Sequence, residues 1–486
     1  MRLFYSFVIL LVAICSSPSS AIETRPNIIW IVVEDMSAHF GCYGETSITT
    51  PHVDALAASG VKFDRAYVTA PVCSTCRSAM VTGMYQTTLG AHHHRSGRGR
   101  VKIVLPDYVK LIPQMFREAG YWSCNLNERF LKDSKTAPKR TRGKTDYNFE
   151  WDEESTYDVG DWSHRKPGQP FFAQIQLHGG KGRTDESPRP VKNSDVKLPV
   201  YYPNDPVITN DWRRYLNSVI NTDEAVGNIV ARLKEEGVYE NTYIFFITDH
   251  GISHARGKQF CYEEGMRIPF IVAGPMVKAG TVRDDLIVHI DMAATSLALA
   301  GIEIPEYLQS VDLFSTDYQD REYVVSARDR CDETVDRIRG LRTARYKYIR
   351  NGLPERPYLQ PNRYKDGKPI IKAMRRLHKE GALSEAQSLI MSETRAAEEL
   401  YDLQKDPNEL HNLAGETQSA AVLADLRGKL DQWIESTGDL GQQDESESVY
   451  DSDMELYSQA IGKKPEQVEI LLRNIALMKQ WKFEGK

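Results

Sequence analysis

Residue types that could do chemistry are concentrated in one short segment, APVCSTCRSAMVTGMY at residues 70–85. The residues after Cys73 have a helical pattern that Ser74 or Thr75 could cap, which places this thiol at a helix N-terminus. Backbone N–H groups and the helix dipole favour an anion at that position. Arg77, four residues further on, adds a planar cation. We therefore expect a pocket for a tetrahedral oxyanion beside Cys73.

The two cysteines of this segment, Cys73 and Cys76, allow three interpretations. A redox C-x-x-C pair normally belongs to a small thioredoxin-like unit, and nothing else in the sequence resembles one. A zinc-binding pair needs a second ligand pair of similar spacing, which the sequence lacks. The third interpretation is two buried thiols without a chemical role, which the motif alone does not exclude.

Carboxylates and imidazoles follow three strongly apolar segments, at the point where each segment ends. The set comprises Glu34, Asp35, His178, Asp249 and His250. Ligands of an open α/β sheet bind outside the carboxyl ends of its strands, so we expect these side chains to meet. Taken singly, each could merely begin a turn. Together, the four other than His178 could hold one divalent cation: the carboxylates favour calcium or magnesium, and the histidine leaves zinc or manganese open.

The elements that must position these residues alternate between strand and helix patterns, which predicts a layered α/β fold. Four near-continuously apolar runs are typical of strands buried on both faces of a parallel sheet. They occupy residues 27–33, 171–177, 242–248 and 269–274. Helical patterns that end in glycine occupy residues 52–60, 113–120 and 211–237.

The N-terminus predicts export. Residues 1–21 combine Arg2, a short apolar run and a cleavage point after Ala21, as in a secretory signal peptide. A retained anchor helix and a lipoprotein attached at Cys15 are the alternatives. No later segment is long and apolar enough to span a bilayer, so we expect no membrane span in the mature chain.

Composition and the pattern of apolar and charged residues divide the rest of the chain into three segments. We expect a catalytic domain over 22–320, a smaller α+β domain over 321–440 with exposed charged strands and a polar helical region, and an acidic stretch with a C-terminal helix over 441–486. The net charge of −6 provides no basic field, which argues against a nucleic-acid partner. Six cysteines follow residue 21 of the 486-residue chain, too few for a disulfide scaffold.

The segment CSTCRSAMVTG resembles the signature of the type I sulfatases of the alkaline phosphatase-like superfamily, in which a cysteine begins C-x-P-x-R. Other segments follow in the family's order. NIIWIVVEDMSAHFGCYG and TDHG resemble its metal-binding segments, GKTDYN its first lysine loop, and RGKQFCYEEGMRIPFIVAGP its second lysine and closing strand. The likeness spans residues 26–415 and implies a large, mostly parallel mixed sheet between helices, with a smaller C-terminal α+β domain.

The resemblance implies roles for these residues. Cys73 would be converted by a maturation enzyme to formylglycine, whose hydrate attacks sulfur, and Cys76 would be an incidental neighbour. Glu34, Asp35, Asp249 and His250 would bind one divalent metal, calcium first and magnesium second. Arg77 would support the nucleophile. Lys144 and Lys258 would neutralise the sulfate, and His178 would be the general acid for the leaving group.

This sequence departs from the family's pattern at four positions. Thr75 replaces the usual proline or alanine, Glu34 an aspartate, His250 an asparagine, and Asp146 a histidine. The substitution at Thr75 bears on maturation of the cysteine. A carboxylate at Asp146 could contact sugar hydroxyls or orient Lys144.

Substrate contacts are predicted beyond the sulfate pocket. The candidates are His92, His93, His94, Arg95, Asp146 and Arg256. Loops near such sites carry specificity, and the alternative for the basic segment that contains the three histidines is a solvated turn.

We thus expect an exported sulfatase that acts on a sulfate ester, or a sulfamate, of a carbohydrate. One rival is a formylglycine-dependent phosphonate or phosphodiester hydrolase on the same fold. The other is a glycan-binding pseudo-sulfatase whose Cys73 is never converted.

Overall fold

Two β-sheets form the framework of this computed structural model, which describes residues 25–133, 142–462 and 464–486. The strands are β1 (Asn27–Val33), β2 (Gly60–Tyr67), β3 (Trp122–Asn127), β4 (Phe171–Leu177), β5 (Thr242–Thr248), β6 (Arg267–Ala273), β7 (Thr281–Arg283), β8 (Ile287–Val288), β9 (Tyr323–Arg328), β10 (Ile338–Thr343), β11 (Tyr346–Asn351) and β12 (Glu398–Asp402). The predicted signal peptide, residues 1–21, lies outside the described residues.

Helices surround both sheets. They are α1 (Pro51–Ala58), α2 (Cys73–Thr82), α3 (Ile112–Glu118), α4 (Phe130–Asp133), α5 (Glu153–Thr156), α6 (Pro206–Glu235), α7 (Glu263–Met266), α8 (Asp291–Leu299), α9 (Arg363–Asp366), α10 (Pro369–Lys379), α11 (Glu385–Ser388), α12 (Ala420–Thr437), α13 (Glu447–Ile461) and α14 (Pro465–Phe483). None of the described helices has the length and apolar character needed to cross a bilayer.

The larger sheet is mixed and mostly parallel, as expected. Its order is β3-β4-β1-β5-β6-β2-β7, and β8 also pairs with β2. The neighbours β3, β4, β1 and β5 run parallel, and every residue of β1, β4 and β5 is buried. Strand β6 differs from the prediction because it runs antiparallel to β5 and to β2. Its apolar run shows that the strand is buried but carries no information on its direction.

The strands of this sheet are buried on both faces because helices cover each face. Alternate residues of β1 point to opposite sides. Ile29, Ile31 and Val33 join a core that includes α1 and α6, and Ile28, Trp30 and Val32 join a core that includes α3 and α8. This two-sided burial explains why the strand sequences are continuously apolar rather than alternating.

The register of the parallel strands brings the predicted polar residues to one edge. Val33, the last residue of β1, pairs with Leu177 on one side and with Thr248 on the other. The next residues along the three strands, Glu34, His178 and Asp249, therefore emerge side by side. A polar row at the carboxyl edge is where an open α/β sheet binds its ligands.

The smaller sheet is antiparallel, with the order β12-β11-β10-β9. The sequence analysis was wrong in two respects here. The segment at 398–402 is strand β12 rather than part of a polar helical region, because Leu400 is buried and the segment pairs with β11. The strands are also largely buried rather than exposed, because charged residues such as Arg328 and Lys347 pair with buried carboxylates, those of Asp336 and Glu409.

The C-terminal segment forms two packed helices where the sequence predicted an acidic stretch and one helix. Helix α13 lies within the acidic stretch, and Ser446 caps it by accepting from Val449 N. Tyr450 and Met454 of α13 pack against residues of α14 such as Leu471. The apolar stripe of α13 was hard to recognise in an acidic segment, because it is buried only where α14 packs against it.

A buried ion pair joins β10 to the end of α12. The Arg339 guanidinium donates to both oxygens of Asp439, at 2.6 and 2.9 Å, and to Asp329 at 3.1 Å. We expect Arg339→Met to lower the free energy of unfolding by about 3–5 kcal/mol, because two buried carboxylates lose their cation. The partly exposed pair Arg350–Asp431 provides a control, since Arg350→Ala should cost under about 1 kcal/mol. Urea unfolding of both variants checks this, and equal losses would contradict it.

Candidate active site

Cys73 is the first residue of α2, at the helix N-terminus that the sequence predicted. The predicted cap is wrong, since the helix begins before both candidates. Val72 occupies the N-cap position without a side-chain bond, while the Thr75 hydroxyl donates back to the Val72 carbonyl (2.8 Å). The first backbone N–H groups of α2 therefore have no side-chain cap and lie beside Cys73.

Charged groups surround the Cys73 thiol. Lys258 Nζ lies 2.9 Å from Sγ, His250 Nε2 3.0 Å, and Asp35 Oδ1 3.6 Å. Burial raises the pKa of the thiol, but the charges on Lys144 and Lys258 outweigh burial and lower it below its ordinary value. The site therefore favours negative charge at the position of Sγ.

Asp35, Asp249 and His250 place their donor atoms together behind Cys73. Asp35 has a left-handed backbone (φ 52°), and its N–H donates to Asp249 Oδ1 at 3.0 Å. His250 Nε2 lies 3.3 Å from Asp35 Oδ1 and 3.5 Å from Asp249 Oδ1. Such a strained backbone is sustained only where surrounding contacts fix it, as around functional groups.

This donor set fits a divalent cation. His250 Nδ1 lies 2.8 Å from the Gly251 carbonyl, which can only accept, so Nδ1 carries the proton of the neutral imidazole and Nε2 is the nitrogen that can ligate a metal. Burial opposes the charge on Asp35, yet Lys258 holds the pKa of that carboxyl well below its ordinary value. Burial likewise opposes protonation of His250, but Asp249 raises its pKa. The surroundings of Nε2 are thus negative enough to attract a cation.

Arg77 is completely buried and is fixed by carboxylates. Its Nε and Nη2 donate to Asp249 Oδ2 at 3.1 and 2.9 Å, and its Nη1 donates to Gln176. Nη2 lies 4.0 Å from Glu34 Oε1, and Nε lies 3.6 Å from Asp146 Oδ1. The guanidinium therefore ties α2 to the ends of β1, β4 and β5.

Glu34 faces cations rather than the Cys73 thiol. Its Oε2 accepts from Lys144 at 3.2 Å and from Lys181 at 3.0 Å.

Lys144 also lies 3.4 Å from Asp146. Burial opposes the charge on Asp146, but Lys144 and Arg77 hold the pKa of its carboxyl well below the ordinary value. The Asp146 carboxylate thus lies against Lys144, and its two proposed roles, orienting Lys144 and contacting sugar hydroxyls, remain predictions.

His178 is exposed at the end of β4 and lines an open cavity together with Glu34 and Lys144. Its backbone N–H donates to Glu128 at 3.5 Å. The imidazole does not contact Cys73. Its predicted role as general acid would operate on the part of a substrate that projects into this cavity.

His94 and Arg95 lie beside the first turn of α2. Ser74 Oγ is 2.7 Å from His94 Nδ1 and accepts from Arg95 N at 2.9 Å. The Arg95 side chain is 44% exposed, with its guanidinium 3.5 Å from Asp332. Both residues thus border the Cys73 pocket, and Arg95 is open to solvent.

The structure does not bring the other predicted substrate contacts to the thiol. The rings of His92 and His93 stand 4.2 Å apart, and His93 lies 3.8 Å from Glu445. Burial lowers the pKa of His92 to about 4, and Arg339 adds to the effect. Arg256 is buried against the C-terminal domain, where it donates to the Asn408 and Glu409 carbonyls. For these three residues, substrate contact remains a prediction.

The sequence analysis missed two residues of the site. Lys181, three residues after His178, carried no signal beyond being a lysine. Tyr364 comes from α9 in the C-terminal domain, and its hydroxyl donates to Asp35 Oδ2 at 3.2 Å. Lys258 Nζ lies 5.1 Å from the centroid of the same ring. Only the docking of α9 over the sheet edge brings Tyr364 to Asp35.

We expect Tyr364→Phe to weaken metal activation about tenfold, since the partners of a ligating carboxylate typically contribute that much to affinity. The measurement is activity against added Ca²⁺ or Mg²⁺ after chelation. Tyr358→Phe is the control, because Tyr358 donates to Glu399 in the smaller sheet. An unchanged activation curve for Tyr364→Phe would show that Asp35 needs no support from the C-terminal domain.

Comparison with known proteins gives two matching family models. The model described as Sulfatase matches residues 26–302. The model described as N-sulphoglucosamine sulphohydrolase, C-terminal, matches residues 250–355. The first covers more than half of the chain and contains every predicted catalytic and metal-binding residue.

Similar proteins were found by sequence and by structure. An ulvan-active sulfatase of Formosa agariphila is 32% identical over 479 residues, which cover 87% of this chain and 77% of that protein. The structure of a 2-O GAG sulfatase aligns with a TM-score of 0.61 at 21% identity, covering 88% of this chain and 96% of that chain. A phosphonate monoester hydrolase from Silicibacter pomeroyi aligns with a TM-score of 0.58 at 18% identity, covering 85% and 96%. At these identities the two structures show the fold alone.

Proposed function

Because this chain belongs to the sulfatase family, we propose that it hydrolyses sulfate esters of a sulfated carbohydrate, with Cys73 as the precursor of a formylglycine. The observation that carries the proposal is the pocket at Cys73. Lys258 contacts Sγ, Lys144 acts on it electrostatically, and the N-terminus of α2 opens beside it. Such a pocket stabilises a tetrahedral oxyanion in place.

In the proposed mature enzyme, Sγ marks the place of the formylglycine oxygens. The hydrated group supplies two hydroxyls: one attacks sulfur and releases the alcohol, and the other loses its proton and expels sulfate as the aldehyde re-forms. Lys258 would hold positive charge where that oxygen becomes negative. Arg77 is fixed by Asp249 and keeps the first turn of α2 in place.

Asp35, Asp249 and His250 would hold one divalent cation, with Glu34 as the fourth ligand once it turns from its lysines. Three carboxylates and one imidazole suit Ca²⁺ first and Mg²⁺ second. When bound, the cation polarises a sulfate oxygen and favours ionisation of the nucleophile. His178, on the wall of the open cavity, would donate the proton that the leaving alcohol needs.

Two observations support a carbohydrate substrate. The similar Formosa agariphila protein is named for activity on ulvan. The cavity lined by Glu34, Lys144 and His178 at the edge of the large sheet is also open, which leaves room for an extended substrate. A sulfamate is the second candidate, favoured by the match of residues 250–355 to the N-sulphoglucosamine sulphohydrolase model. We also propose that residues 1–21 direct export of the protein. We further propose that the chain divides into segments over 22–320, 321–440 and 441–486.

The test combines mass spectrometry and turnover. The protein is made together with a formylglycine-generating enzyme, and the peptide with Cys73 should weigh about 18 Da less than its cysteine form. The same preparation is incubated with ulvan, an aryl sulfate and an aryl phosphonate, and released sulfate and phenol are measured. Conversion with sulfate release supports the proposal. Faster phosphonate cleavage favours the rival hydrolase, and an unmodified thiol favours the pseudo-sulfatase.

A further inference from the structure

One tyrosine ring separates the catalytic pocket from a second lysine. Tyr364 donates to Asp35, and Lys258 Nζ lies 5.1 Å from the centroid of its ring. Lys368 Nζ lies 4.7 Å from the same centroid. Lys368 precedes α10 in the C-terminal domain, so that domain brings a further cation to the edge of the pocket.

Lys368 is half-buried. Across residues 25–133, 142–462 and 464–486, no carboxylate oxygen lies within 4 Å of its ammonium group. A half-buried lysine without a counter-charge loses hydration without compensation. Burial and the nearby Arg183 lower the pKa of Lys368 to about 8, although Asp35 opposes them. Among the described residues, Lys368 thus has a cation nearby in Arg183 but no carboxylate in direct contact.

Arg183 is the second member of this pair, in the loop that follows His178. Its Nε lies 3.6 Å from Asp211 Oδ2, and Nε and Nη2 are buried without a hydrogen-bond partner in the described part of the chain. Asp211 Oδ2 already accepts from His254 Nε2 at 2.8 Å. Burial lowers the pKa of His254 to about 3, so its imidazole is neutral, and one oxygen of Asp211 faces both His254 and Arg183. Buried N–H groups of this kind normally have a partner, which a ligand can supply.

We propose that Arg183 and Lys368 form a second anion subsite, which binds a carboxylate or an additional sulfate group of the substrate next to the sulfate that is cleaved. A guanidinium with free N–H groups matches such an oxyanion in two-point contact, and an ammonium adds a point charge. This inference rests on the proposed function and narrows its substrate class to carbohydrates with two anionic groups.

The position of the pair supports substrate binding over a purely structural role. Arg183 comes from the large domain, directly after the strand end that carries His178, and Lys368 comes from the C-terminal domain. An anion bound between them would bridge the two sides of the cleft. Arg339 by contrast donates to Asp439 at 2.6 Å, whereas Arg183 Nε stands 3.6 Å from an Asp211 oxygen that already accepts from His254.

The experiment compares substrates and variants by kcat/KM. The substrates are a sulfated disaccharide with a uronic acid, its carboxyl-reduced counterpart, a counterpart with a second sulfate in place of the carboxylate, and an aryl sulfate. The variants are Arg183→Ala and Lys368→Ala. The matched controls are Arg213→Ala on α6, whose largely buried guanidinium is paired with Asp185, and Lys372→Ala at an exposed position of α10.

We expect each subsite variant to lose about tenfold more on a doubly anionic substrate than on the aryl sulfate, since one charged hydrogen bond is removed. The controls should leave all ratios unchanged. The carboxylate and disulfate arms show which anion the subsite prefers. Equal losses on all substrates, or no preference of the unaltered enzyme for the second anion, would overturn the subsite. Failure of the proposed function is distinct: the unaltered, converted enzyme would then release sulfate from none of the four.

Discussion

The Cys73→Ala variant should lose at least about 10⁴-fold in sulfate release while keeping the wild-type fold, because removal of a covalent nucleophile leaves only binding and electrostatic catalysis. Every other charged group of the pocket stays in place. Lys258, for instance, retains its 3.0 Å bond to Asp35. The measurement is released sulfate at saturating substrate, with thermal melting to show that the variant is folded.

Cys76→Ser is the matched control for this prediction. Cys76 lies one turn along α2, within the apolar core beneath the sheet, and its Sγ is 3.2 Å from His289 Nε2. Burial raises the pKa of this thiol well above its ordinary value, so it is not nucleophilic. A serine there can keep a contact with His289, and we expect activity to remain near wild type. Turnover by Cys73→Ala, or loss of activity in a folded Cys76→Ser, would contradict the assignment.

The large sheet could be predicted because its strands carry their own signal. The apolar runs at 27–33, 171–177 and 242–248 coincide with β1, β4 and β5. Burial on both faces requires such runs. Strand direction and strand β12 of the smaller sheet could not be predicted in the same way. Strand β12 contains mostly polar residues and is defined by pairing with β11, a contact distant in sequence.

The candidate site shows the same division. Asp35, Asp249 and His250 follow predicted strands, and the parallel register brings them together beside Cys73. Tyr364 had no local signal, because its position depends on how the C-terminal domain packs over the sheet edge. Residue type alone cannot show which of many tyrosines or lysines tertiary packing will place beside a carboxylate.

The second large effect concerns Asp249. Its Oδ1 accepts from Asp35 N at 3.0 Å, and its Oδ2 accepts from Arg77 at 2.9 and 3.1 Å. We expect Asp249→Asn to lower sulfate release about 10³-fold, because the cation site loses a charge and Arg77 loses its main anion. An asparagine has one acceptor oxygen, so its NH₂ group must face either the Asp35 N–H or the guanidinium. The asparagine therefore cannot accept from both the Asp35 N–H and the Arg77 guanidinium. We expect Asp35 and Arg77 to move apart as a result.

Asp158→Asn tests whether this loss is specific to the site. Asp158 also accepts on both oxygens, from Arg117 and from Ser123 N, but it lies away from Cys73. The measurements are sulfate release and bound metal, the latter by elemental analysis of each purified protein. We expect stoichiometric Ca²⁺ or Mg²⁺ in the wild type and in Asp158→Asn, reduced metal in Asp249→Asn, and loss of wild-type activity under chelation that the cation restores. Full activity in metal-free wild type would instead mean that Lys258 and Arg77 supply the positive charge without a cation.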